Sequence, residues 1–123
     1  MCIRDKRYEI GLMDAYLQAR DEVRGDPDRD AMAWMGMGMP VAEMPGYASE
    51  EELAALQAAD PEDQNEIFLE LMIAHHRGGV AMAEYAARHA EDPRVRRLAE
   101  VMADVQAKEI IEYQLKLDAL QGT

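Results

Sequence analysis

The chain has 123 residues, enough for one domain with a modest core, and its formal net charge of −12 argues against nucleic acid or an anionic membrane surface as a partner. Hydrophobic residues make up 49% but aromatics only 6%; the dominance of Ala, Leu, Glu and Met favours helix, and no apolar run is long enough to span a membrane. A single cysteine, Cys2, excludes an internal disulfide and a cysteine-based zinc site, whereas ten methionines exceed ordinary usage and need a reason.

Met1-Cys2-Ile3-Arg4-Asp5 reads as the translation of the transposon end used in DNA library preparation. Residues 1–5 are therefore expected to be non-native, and Cys2 to carry no function. From Lys6 to Arg24 the spacing of Ile10, Met13, Tyr16 and Leu17 predicts an amphipathic helix, stopped by Gly25-Asp26-Pro27-Asp28. Residues 31–47 change character: Met32, Trp34, Met35, Met37, Met39 and Met44 alternate with Gly36, Gly38, Pro40, Pro45 and Gly46. Glycine and proline at that density argue against helix or central strand. The expectation is an irregular segment lying over a helical bundle, with Trp34 and several methionines buried as adaptable filling. Two other uses stay open, a thioether-rich relay for Cu(I) or Ag(I) and an interface between copies of the chain in a homo-oligomer.

Ser49-Glu50-Glu51-Glu52 is a capping box and predicts a short helix to about Ala59. Asp60-Pro61 then supplies an N-cap and a first-turn proline for a helix running to Glu91. Gly78-Gly79 interrupts it, each glycine costing about 1 kcal/mol against alanine, so close approach by another helix or a ligand is expected there. Asp92-Pro93 repeats the cap, and the last helix runs to Leu120. The turn at Asp92 allows only an antiparallel hairpin. The fold expected is a single all-α domain, 1–123, with a core hairpin over 61–120 and the Lys6–Arg24 helix packed on it.

The chemistry concentrates at Met72-Ile73-Ala74-His75-His76. On a helix, Met72 shares a face with both histidines, and Phe68, Gly79, Ala83 and Ala86 on that face aim them at the core. In the last helix Gln106 and Glu109 sit inside the apolar stripe of Val95, Leu98, Ala99, Met102, Val105, Ile110, Tyr113, Leu117 and Leu120. Polar groups there need partners. Hairpin register sets His75 opposite Glu109, Gln106 opposite Gly78, Met82 opposite Met102 and Met72 opposite Tyr113. Two histidines, a carboxylate, an amide and nearby thioethers at one level form a donor set for a soft ion. The competing reading is a helical interaction module in which the histidines merely hydrogen-bond to Glu109 and Gln106. His89 falls near the hairpin turn and is expected to be partly exposed, able at most to form a weaker site with Met82. Paired Glu-x-x-His motifs, a zincin motif, a haem attachment motif and a phosphate loop are all missing, so no catalysis is expected.

These residues resemble a known family. Phe68-Leu69-x-Leu71-Met72-Ile73-x-His75-His76-x-Gly78, Met82-Ala83, Asp92-Pro93-x-Val95-Arg96-x-Leu98-Ala99 and Gln106-x-x-Glu109-Ile110, with Met44-Pro45-Gly46 and Glu52-Leu53 upstream, are similar to the bacterial domain of unknown function 305. The resemblance covers roughly Met44 to Leu120. It implies a ferritin-like helical bundle, copper or silver binding outside the cytoplasm in some members, and signal peptides or lipid anchors in many. Met72, His75, His76, Met82, Gln106 and Glu109 match the family pattern and are the candidate metal residues. Asn65 stands where an Asp is usual and Tyr113 where a Met is usual. The function expected is Cu(I), Ag(I) or Cu(II) binding or buffering in metal homeostasis or resistance.

Overall fold

The computed structural model describes residues 3–22 and 28–122, with side chains from Arg7 onward. Met1, Cys2 and the expected stop at Gly25-Asp26-Pro27 lie outside the described residues. Four α-helices run through the described residues: α1 Ile3–Gln18, α2 Glu50–Ala58, α3 Pro61–His89 and α4 Pro93–Gln121. None is long and apolar enough to cross a membrane.

Helices α3 and α4 form the expected antiparallel hairpin, each 29 residues and so about 43 Å long. Between them, Arg96 donates to the carbonyls of Ala90 at 2.7 Å and Glu91 at 2.9 Å. This satisfies acceptors that the end of α3 leaves unpaired. Asp92 caps α4 by accepting from the Arg94 backbone N–H at 2.8 Å. Asp60 occupies the equivalent position before α3 but makes no side-chain cap bond, so there the proline alone carries the start signal. The capping box is formed as read, with Ser49 and Glu52 bonding reciprocally at 2.9 and 3.1 Å.

The buried centre is small. Leu69, Ile73 and Leu117 pack together with Ile110 and Tyr113 against them, while Ala83 and Ala99 are buried nearer the turn. Helix α2 rests on α3. Helix α1 leans across the hairpin more loosely: of its expected inward stripe, Ile10, Met13 and Leu17 stay substantially exposed and Tyr16 is half-buried. It also ends earlier than the expected Arg24. Asp21 takes a left-handed φ of 54°, and Asp21 and Glu22 donate back to the carbonyls of Gln18 and Leu17. That paired return closes a helix wherever a residue tolerates the left-handed region, as a short Asp side chain does.

Two contacts among the described residues hold the C-terminal end of α1. Arg20 donates to Asp92 at 3.0 Å, and the Arg94 guanidinium lies 5.1 Å over the Tyr16 ring. The side-chain bond from Arg94, its backbone N–H and then Arg20 hold the Asp92 carboxyl well below the usual carboxylate range. A lowered folded-state value stabilises the fold above the ordinary carboxylate value, and this contribution is lost as pH falls through the folded one. The melting-temperature gap between wild type and Asp92→Asn should therefore be full at neutral pH and narrow below about pH 4. A gap that stays constant down to strong acid would show that the charge of Asp92 contributes nothing.

Residues 31–47 are irregular, as expected, with single 3₁₀ turns at Ala33–Met35 and Val41–Glu43. Paired backbone bonds between Ala31 and Met39 pinch the methionine segment into a closed loop. Met32 is buried inside it at a left-handed φ of 62°. Trp34 departs from expectation: it stays 54% exposed, held edge-on to Tyr85 at 5.4 Å. The loop closes on itself through its backbone, so burial of the indole is not what holds it down.

Candidate functional site

The buried ridge of α3 runs Leu69, Ile73, His76, Ala83, a helical spacing of four, three and seven. His76 lies on its centre line and is only 2% exposed. His75 is one residue and about 100° round the helix, and it is exposed, together with Phe68. The expectation that both histidines face the core therefore holds for His76 alone. The same one-residue offset moves the cross-hairpin partner, since His76, not His75, meets Glu109.

His76 uses both ring nitrogens. Nδ1 lies 2.8 Å from the Met72 carbonyl, which can only accept, so Nδ1 carries a proton. Nε2 lies 2.6 Å from Glu109 Oε2, and a single further proton serves that contact, whether held on the imidazole or on the carboxyl. Glu109 is itself buried. The Tyr113 ring stands edge-on to His76 at 5.3 Å. Burial, and then the charges of Glu109 and Glu112, push the Tyr113 phenol up from its ordinary value, so it stays neutral at physiological pH.

His75 is arranged differently. Its Nδ1 lies 3.2 Å from the Gly46 carbonyl, again a pure acceptor, so the Nδ1 proton is fixed there. Nε2 then carries the lone pair, and no hydrogen bond fills it among the described residues. Two glycines make this contact. Gly46 has a φ of +81°, and a Cβ on it would come within 2.6 Å of the Ala74 carbonyl oxygen. A Cβ on Gly78 would collide with the Pro45 carbonyl. The Met44-Pro45-Gly46 segment therefore sits directly on α3 and sets the His75 ring, which explains a glycine inside a long helix. Its neighbour Gly79 is covered by Gln106 from α4.

Above the two histidines is a half-open cavity of about 190 Å³. Its walls are Glu9, Ile10 and Met13 from α1, His75 and His76 from α3, and Met102 and Gln106 from α4. Of the six residues expected from sequence, His75, His76 and Gln106 line it. Glu109 stands behind His76, and Met72 contributes its backbone carbonyl with its side chain half-buried. Neither Met72 nor Met82 is among the lining side chains. Met13 and Met102 are, and sequence reasoning left both out of the site. Met102 had a signal, its place opposite Met82 within the apolar stripe of α4. Met13 had only its place on the stripe of α1. His89 is exposed and stacks on Tyr85 at 4.2 Å.

Among the described residues no three His, Cys, Asp or Glu side chains converge as an ion held by those types alone would need. The cavity offers a mixed set instead: the His75 imidazole, two thioethers, an amide and the Glu9 carboxylate. Thioether and imidazole donors suit soft ions better than hard ones.

The chain matches the model of the domain of unknown function DUF305 over residues 2–116. It is similar to a solved structure from Streptomyces coelicolor, described as a candidate secreted protein DUF305, with 30% identity and a TM-score of 0.84 over 96% of this chain and 69% of that one. A DUF305 fragment from Deinococcus radiodurans is similar at 32% identity and a TM-score of 0.74, over 92% of this chain and 68% of that one. No curated protein matches the chain at a significant level. A match over nearly the whole length, an all-α fold shared with two solved members and the His-His motif at the centre of the hairpin lead to one conclusion: the chain belongs to the bacterial DUF305 family.

Proposed function

We propose that the chain binds a soft monovalent ion, Cu(I) or Ag(I), in the cavity beside α3, with His75 Nε2 and the Met102 thioether as donors on the hairpin. One observation carries the reading. The Nδ1 proton of His75 is tied to a backbone carbonyl, which leaves Nε2 as the lone-pair nitrogen of a ring that lines a cavity together with Met13 and Met102. Metal-binding histidines are characteristically oriented in this way by a carbonyl or carboxylate on the other nitrogen. Gln106 lines the same space and can orient a bound ion or water. The net charge of −12 favours a cation. The role that fits is binding or buffering in metal homeostasis. An extracytoplasmic setting is supported by the similar Streptomyces coelicolor protein, described as a candidate secreted protein.

A second reading is favoured at His76. Both of its nitrogens are satisfied by Met72 and Glu109, as in a structural pair inside a helical interaction module. The two readings divide the histidines: His76 with Glu109 holds the hairpin, and His75 faces the ion. Titration of the purified chain with Ag(I) tests the metal reading. One equivalent should bind, and at 100 times the dissociation constant it should add about 2.7 kcal/mol of stability. Affinity should fall between about pH 8 and about pH 5, because protons compete for the imidazole lone pair. Absence of Ag(I) uptake at neutral pH would refute the reading.

A further inference from the structure

Helix α1 contributes Met13 to the cavity yet is weakly held to the rest of the fold. Its apolar residues Ile10, Met13 and Leu17 are 44%, 37% and 36% exposed. Its clearest fixed contacts, Arg20 on Asp92 and Tyr16 under Arg94, lie at or just beyond its C-terminal end. Met13 stands nearly one turn before Tyr16, with Glu9 a further turn away. The opposite walls are rigid by comparison. His75 is pinned by Gly46, and Met102 belongs to a helix packed along its length against α3.

The cavity volume sets the consequence. About 190 Å³ is room for several waters, whereas a single ion held by sulfur and nitrogen occupies far less. Metal–sulfur and metal–nitrogen bonds are roughly 2.0–2.3 Å for a first-row ion. Donors on separate walls must therefore draw inward to reach one ion, and the least closely packed wall is α1.

We infer that Met13 is a further ligand of the same ion, so that metal binding clamps α1 onto the hairpin, pivoting at the Arg20–Asp92 and Tyr16–Arg94 contacts. This rests on the metal reading above. It goes further by adding a thioether from a helix outside the His-His hairpin and by coupling occupancy to the position of α1. Thioether from α1, thioether from α4 and imidazole from α3 make a three-donor site from three helices. Linkage then fixes a quantitative relation. If Met13 strengthens ion binding by some factor, the ion favours the closed position of α1 by that same factor.

Backbone hydrogen exchange of the full chain, with Ag(I) alone as the probe, tests the inference. Saturating Ag(I) should slow exchange in the peptide covering α1 by at least about tenfold, a factor in the range that supporting groups contribute at metal sites. Met13→Leu conserves volume and should leave the fold intact. It should still bind Ag(I) through the hairpin donors, more weakly by the same factor, and should lose the slowing in α1. Unchanged α1 exchange in silver-loaded wild type, or equal slowing in Met13→Leu, overturns the clamp while leaving the metal reading standing. Wild type that takes up no Ag(I) overturns both.

Discussion

Glu109→Ala is expected to lower the stability of the chain by about 1–5 kcal/mol, the range from leaving a buried polar group unsatisfied to breaking a buried ion pair. The argument is local. His76 is 2% exposed, its Nδ1 proton is committed to the Met72 carbonyl, and its Nε2 faces Glu109 at 2.6 Å. Alanine leaves a void and an imidazole nitrogen that must lose its proton or bury it unpaired. Glu109→Gln separates the two costs. A side-chain amide can accept from an N–H or donate to a lone pair, so it satisfies Nε2 in either state, and the loss should shrink to roughly 1 kcal/mol. Urea unfolding of the three proteins measures this. A loss below about 1 kcal/mol for Glu109→Ala would show that the pair is not closed to solvent.

His75→Ala should do the reverse, leaving folding nearly intact and weakening Ag(I) binding at least about 100-fold. Outer groups that only orient a ligand are worth about 10- to 100-fold in affinity, and a donor atom itself is worth more. A 100-fold loss is about 2.7 kcal/mol. The ring is exposed and its one hydrogen bond to Gly46 is worth about 0.5–1.5 kcal/mol, so stability should change by no more than that. Competition titration with a chelator of known silver affinity reads the first quantity and thermal unfolding the second. Equal Ag(I) affinity in the two proteins would remove His75 from the site.

Much of this architecture was legible in the sequence. Asp92-Pro93 between two long apolar stripes specifies the hairpin, and Glu109 and Gln106 inside such a stripe announce buried partners. What periodicity missed is a single residue of register. A helix face is broad, so the pattern could not say whether His75 or His76 lies on the centre line, and that decision separates a buried structural pair from an open donor. It also could not decide the position of Met13. The place of α1 over the hairpin depends on Arg20 reaching Asp92, a contact 72 residues apart in the chain. The orientation of His75 depends likewise on Gly46, 29 residues away. Gly78-Gly79 marked a close approach: at Gly79 it is another helix, through Gln106 of α4, whereas at Gly78 the approaching group is the Pro45 carbonyl.

The most direct measurement is ¹⁵N NMR of the imidazole nitrogens while Ag(I) is added to histidine-labelled protein at neutral pH. The account predicts that one equivalent moves the His75 Nε2 resonance, leaves its Nδ1 protonated against Gly46, and leaves the His76 nitrogens in their bonds to Met72 and Glu109. An unmoved His75 Nε2 at saturating Ag(I), or Ag(I) appearing first at His76, would contradict it.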